Sequence, residues 1–103
     1  MLGFLKNLFQ SAPKPDFATL ISQGAIVLDV RTKGEYQGGH VKGSMNIPLD
    51  QLSNQLGKLK KDKVIITCCA SGMRSGSARR ILQGAGFKEV HNGGSWMNVN
   101  RYC

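Results

Sequence analysis

Acidic side chains are scarce in this chain: six Asp and Glu stand against fourteen Lys and Arg, for a formal net charge of +8. That balance favours anionic partners. Aromatics are few as well, one Trp, two Tyr and four Phe. They do not alternate with the basic residues as a base-stacking surface requires, so nucleic acid is not an expected partner. The lysines at 58, 60, 61 and 63 flank Asp62 and read as a solvated turn. No apolar run approaches the roughly 20 residues of a bilayer span. Three cysteines, two of them adjacent, cannot make a disulfide framework. His40 and His91 show no zinc-ligand spacing with them, so no metal is expected. With no signal-peptide cleavage site after the opening MLGFLKNLFQ, a reducing cytoplasm is the expected compartment.

What is present divides the chain in two. In residues 1–15, Leu2, Leu5, Leu8 and Phe9 fall at one-face helical spacing, before a linker broken by Pro13 and Pro15. This segment is expected to pack on the edge of the domain or on a second copy of the chain, as a homodimer contact. One Lys gives little attraction to anionic lipid, so membrane contact is not expected. Residues 16–103 are long enough for a single core.

Within that domain, AIVLDV (25–30) and VIITC (64–68) are short unbroken apolar runs, the pattern of buried parallel strands. Cys68 is expected as the last residue of the second. Thr32-Lys-Gly-Glu35 matches a helix-opening capping box. GSMNIP reads as a short strand closed by Pro48, and Leu52, Leu56 and Leu59 as a helical stripe. Ala78, Ile81, Leu82 and Ala85 mark one face of a helix ended by Gly84 and Gly86. FKEV (87–90) reads as a last strand, after which Gly93-Gly94 turns toward Trp96. Strands alternating with helices predict an α/β fold, a parallel sheet with helices on both faces. Function then gathers at the carboxyl ends of strands, where Asp29, Arg31 and the two cysteines lie.

The stretch TCCASGMRS (67–75) carries chemistry. A strand running into Cys-Ala-Ser-Gly and then into a helix aims backbone N–H groups inward, and the helix N-terminus adds roughly half a positive charge. A cysteine there has its pKa depressed from about 8.5 into the range of roughly 3.5 to 7.5. Gly72 permits positive φ, and Arg74 supplies a fixed cation.

Cys69-Ala-Ser-Gly72-Met-Arg74-Ser75 resembles the active-site loop of the rhodanese (sulfurtransferase) family, Cys-x-x-Gly-x-Arg. LDVRTKGEYQGGHVKGSMNIP (28–48) and GFKEVHNGGSW (86–96) resemble two further signatures of that family. The resemblance covers roughly residues 16 to 96 and implies a single-domain, rhodanese-like sulfurtransferase without a cofactor. Cys69 would carry sulfane sulfur as a persulfide, cradled by Ala70, Ser71, Gly72, Met73 and Arg74. The implied partners are a small anionic donor, such as thiosulfate or a persulfide, and a thiol or protein acceptor.

Counted from Cys68, the loop to Arg74 has seven residues, the length used by cysteine-dependent phosphatases and arsenate reductases. Counted from Cys69 it has six, and Gly72 falls where the sulfurtransferase pattern places it, which favours Cys69. A sulfur-relay or binding module without turnover of its own is the remaining alternative. Asp29 resembles a structural anchor, His40 a turn residue, and Arg31 is expected to pair with Glu35. Cys103 is expected as a free thiol near the chain end, or else as an acceptor of the persulfide.

Overall fold

Uninterrupted β-branched and aliphatic residues put the two apolar runs side by side at the centre of a sheet. In the computed structural model, which describes residues 16–103, they are β1 (Ile26–Asp29) and β3 (Val64–Cys69). They pair in parallel, with Leu28 opposite Thr67 and Asp29 opposite Cys68. β2 (Met45–Asn46) and β4 (Glu89–Ser95) flank them, giving the order β2-β1-β3-β4, all parallel. The apolar segment 1–15, with the docking and homodimer expectations placed on it, lies outside the described residues.

Helices cover both faces, as expected for α/β. Alternate strand residues point to opposite sides. Leu28, Val30 and Ile65 build one core with Leu82 of α4 (Met73–Gly84), Leu52 of α3 (Leu49–Leu52) and Phe87. Val27, Ile66 and Cys68 build the other with Phe17 of α1 (Phe17–Ser22) and Val99 of α5 (Trp96–Asn100). Short helices start where the side chains dictate. Asp16 caps α1, Ser95 caps α5, and the Thr32/Glu35 capping box opens α2 (Lys33–Gln37) with both reciprocal bonds present.

Two elements beyond the central strands depart from the sequence reading. Leu52, Leu56 and Leu59 do not lie on one helix. α3 stops at Leu52, and a 3-10 turn over Leu56–Lys58 follows. Ser53 and Asn54 compete for the backbone and Gly57 weakens helix, yet Leu52 and Leu59 still reach the core. The last strand is displaced from FKEV: β4 begins at Glu89, leaving Phe87 and Lys88 outside it, and runs through Gly93-Gly94 to Ser95. Between the pairs Thr67–Asn92 and Cys69–Ser95 it carries one extra residue, a bulge rather than a turn. Among the described residues no helix is long and apolar enough to cross a membrane.

Candidate active site

β3 runs one residue further than expected, through Cys69. Strand geometry therefore sends the two cysteines in opposite directions. Cys69 joins the core under α4, while Cys68 joins the core under α1 and α5. Burial, and then the Asp29 carboxylate, push the Cys68 thiol up to about 12, so it stays protonated at neutral pH. Asp29 is itself fully buried and bound to Arg31, whose Nε and Nη2 donate to it at 2.7 to 3.0 Å. It is in no position to act as the acid of a seven-residue loop.

Cys69 exposes no surface. After it the chain turns through Ala70 and Ser71, both exposed, to Gly72, which stands at φ 104 as the N-cap of α4. A side chain would strain that left-handed conformation. The turn aims the Gly72 N–H at the Cys69 sulfur, 2.9 Å away. Ser75 Oγ lies 3.5 Å from the same sulfur, accepting from it when it is a thiol. Burial opposes ionisation of Cys69. The Ser75 hydroxyl and then the amides of Ser75, Gly72 and Ser71 outweigh it, and the pKa lies below the ordinary cysteine value. The arrangement can hold an anionic sulfur at the head of a helix.

Ser75 and Asn92 were not singled out in the sequence, yet they set this geometry. Ser75 is fully buried, and its single proton has Asn92 Oδ1 at 2.6 Å and Gly72 O at 3.0 Å as acceptors, and the Cys69 sulfur at 3.5 Å once that is ionised. Asn92 Oδ1 also accepts from Gly94 N–H at 2.9 Å, and its Nδ2 donates to Gly72 O at 3.2 Å. The loop is thus tied to β4. The Asn92-to-Gly94 contact is an Asx turn, a local pattern that Asn two residues before Gly announces.

The other candidates are placed as follows. Met73 is 82% exposed at the loop mouth. Arg74 does not stand free over the sulfur: its Nη1 and Nη2 donate to Glu35 Oε1 and Oε2 at 2.7 and 3.0 Å. These bonds hold the Glu35 carboxyl down at about 2. The expected Arg31–Glu35 pair is therefore replaced by two others, Arg31–Asp29 and Arg74–Glu35; Arg31 reaches only the backbone oxygen of Glu35. Arg31 also donates to Gly39 O at 2.7 Å and stacks on Trp96, bracing the loops behind the site. His40 bonds its own turn through Tyr36 O, and His91 pairs with Glu89. Cys103 is an exposed free thiol.

The family described as rhodanese-like domain matches residues 14–99. The uncharacterized protein YqhL of Bacillus subtilis is 38% identical over 68 residues, covering 66% of this chain and 54% of that protein. Thiosulfate sulfurtransferase PspE of Escherichia coli is 34% identical over 74 residues, covering 70% of this chain and 71% of that protein. The chain thus spans about half the length of YqhL. Among solved structures, an Escherichia coli rhodanese with anions superposes with a TM-score of 0.69 at 31% identity, covering 73% of this chain and 91% of that one.

Proposed function

The chain belongs to the rhodanese-like domain family, and on that premise we propose that it is a sulfurtransferase that carries sulfane sulfur as a persulfide on Cys69. The observation that carries this reading is the Cys69 sulfur held 2.9 Å from the Gly72 N–H at the head of α4. In the first half-reaction the thiolate attacks the outer sulfur of thiosulfate. A new S–S bond forms to Cys69, the bond to the sulfonate sulfur breaks, and its electron pair leaves with sulfite. In the second, a nucleophile such as cyanide or a thiolate takes the terminal sulfur and returns the Cys69 thiolate. Charge and atoms balance in both steps without an outside oxidant. Such covalent catalysis is ping-pong. The inward amides of Ser71, Gly72 and Ser75 stabilise the sulfur anion in each resting form, as an oxyanion hole does oxygen.

Residues 16–103 form the working domain in this reading, with Ala70, Ser71, Gly72, Met73 and Arg74 around the transferred sulfur and a thiol or protein as acceptor. The orientation of Cys68, away from the loop and protonated, speaks against phosphoryl or arsenate chemistry.

The test is the intact mass of the protein after exposure to thiosulfate. One sulfur atom, removable by reductant and mapped to Cys69, is expected in the wild type and in Cys68→Ser, and is expected to be absent from Cys69→Ser. A folded Cys68→Ser protein that fails to load while Cys69→Ser still loads would reverse the assignment.

A further inference from the structure

The three arginines of α4 serve different purposes. Arg74 is bound to Glu35 through both terminal guanidinium nitrogens, and Arg79 Nε donates to Val90 O at 3.1 Å on the last strand. Arg80 is exposed. Its one hydrogen bond among the described residues is from Nη2 to Ser77 Oγ, 3.3 Å away and one turn earlier on the same helix. No carboxylate pairs with it there. Met73, Gly76, Ser77 and Arg80 fall at the i, i+3, i+4, i+7 spacing of a single stripe. That stripe lines an open groove of about 520 Å³ that also touches Gly72 and Asn92, the two residues that shape the Cys69 loop. Gly76 keeps the groove floor bare. A Cβ there would come within 3.3 Å of Asn92 Nδ2. Helix side chains lean toward the N-terminus, and the Ser77 contact shows the Arg80 guanidinium turned that way, toward the loop.

A guanidinium with uncommitted donors, set along a groove that begins at the sulfur-holding loop, suits a planar or tetrahedral oxyanion. Arg74 lines the same groove, but its charge is paired with Glu35 through one donor on each terminal nitrogen, which makes it less available for this role. We propose that Arg80 binds the oxyanion head group of the sulfur-exchanging partner, while the sulfur being exchanged lies at Cys69. That head is the sulfonate end of a thiosulfate-type donor or the carboxylate of a thiol acceptor. The inference rests on the sulfurtransferase reading above and adds a determinant of which partners are used.

The experiment compares wild type, Arg80→Gln, Arg80→Lys and Arg79→Gln, each checked for folding by circular dichroism. In thiosulfate–cyanide turnover, Arg80→Gln is expected to raise the thiosulfate KM about tenfold with kcat nearly unchanged, the loss of one partly solvated charge-assisted contact. Arg80→Lys recovers part of it. Arg79→Gln, which removes the same charge outside the groove, keeps the wild-type KM. Loading from inorganic polysulfide, which has no oxyanion head, is unaffected by any of the changes. A second arm unloads the persulfidated protein with mercaptopropionate or mercaptoethanol. A defect in Arg80→Gln confined to the carboxylate-bearing thiol identifies the acceptor as the source of the head group, and a defect confined to thiosulfate identifies the donor. Wild-type values in both arms, or an equal defect in Arg79→Gln, would overturn the proposal. If wild type loads Cys69 and only these comparisons fail, the sulfurtransferase reading stands without it; if wild type never loads, both fall.

Discussion

Replacing Gly93 with alanine is expected to be the most damaging single-methyl change near the site. Gly93 does not adopt a left-handed φ, so its backbone conformation is open to alanine. The penalty is space. A Cβ at this position would lie 2.5 Å from Val99 Cγ2, 2.8 Å from Thr67 O and 2.9 Å from Ile66 Cγ2. Val99 is fully buried and β-branched, hence stiff, and Thr67 O belongs to the neighbouring strand backbone. β4 must move away from β3. That places the cost near the top of the overpacking range, about 3 kcal/mol. At about 4–8 °C per kcal/mol for a domain of this size, the melting temperature falls by roughly 12–24 °C. Gly94→Ala isolates the other kind of penalty. Nothing lies within 4 Å of its added Cβ, but its φ is +80, so the cost is about 1–2 kcal/mol of left-handed strain. Thermal unfolding followed by far-UV circular dichroism reads both. A double-mutant cycle of Gly93→Ala with Val99→Ala should show favourable coupling, because the shortest contact disappears. A Gly93→Ala protein melting within about 3 °C of wild type, with no such coupling, would refute the steric argument.

Three further outcomes follow from the same contacts. Ser75→Ala removes the main group favouring the Cys69 thiolate, so the midpoint of its alkylation rate against pH moves upward. Stability changes by only about 1 kcal/mol, because Gly72 O keeps Asn92 Nδ2 and Gly76 N–H, and Asn92 Oδ1 keeps Gly94 N–H. An unchanged midpoint would assign the work to the backbone amides alone. Asp29→Ala strands the Arg31 guanidinium in the core and should cost about 3–5 kcal/mol in urea unfolding; a loss below about 1 kcal/mol would mean that water reaches Arg31. The Glu35 carboxyl has a folded value below its unfolded one. Its pairing with Arg74 therefore contributes fully above about pH 5 and is lost progressively as the pH falls from there through about 2. A carboxyl NMR titration with a midpoint near 4 would show the pair is not formed in solution.

Much of this architecture can be read from local sequence. The central strands announce themselves as apolar runs, α2 by its capping box, and the Cys69–Arg74 loop by a strand that meets a glycine-capped helix. What escapes such reading depends on distant contacts. Gly93-Gly94 has the composition of a turn, but the bare positions exist because Val99 and Thr67 press on one and the bulge demands left-handed backbone at the other. Glu35 finds Arg74, 39 positions away, rather than its near neighbour Arg31, which is taken by Asp29. Ser75 looks like an ordinary first-turn serine until Asn92 is brought beside it. The direction of each cysteine is hidden for another reason. A parallel strand covered on both sides is apolar on both, so no alternation marks which residue faces the loop.

That last point reaches into the protein's chemistry with soft ions. Two cysteines adjacent in sequence are normally bait for trivalent arsenicals, cadmium and copper(I), which are gripped when both sulfurs turn to one side. Here a β-sheet stands between them: Cys69 lies beneath the loop helix, and Cys68 is sealed in the opposite core with its proton held. Neither a bidentate chelate nor a vicinal disulfide can close without tearing the strand from its neighbours. A phenylarsine oxide column should therefore let the reduced, folded protein pass and retain it only once unfolded, so that a doublet of thiols behaves toward poisons as a single one.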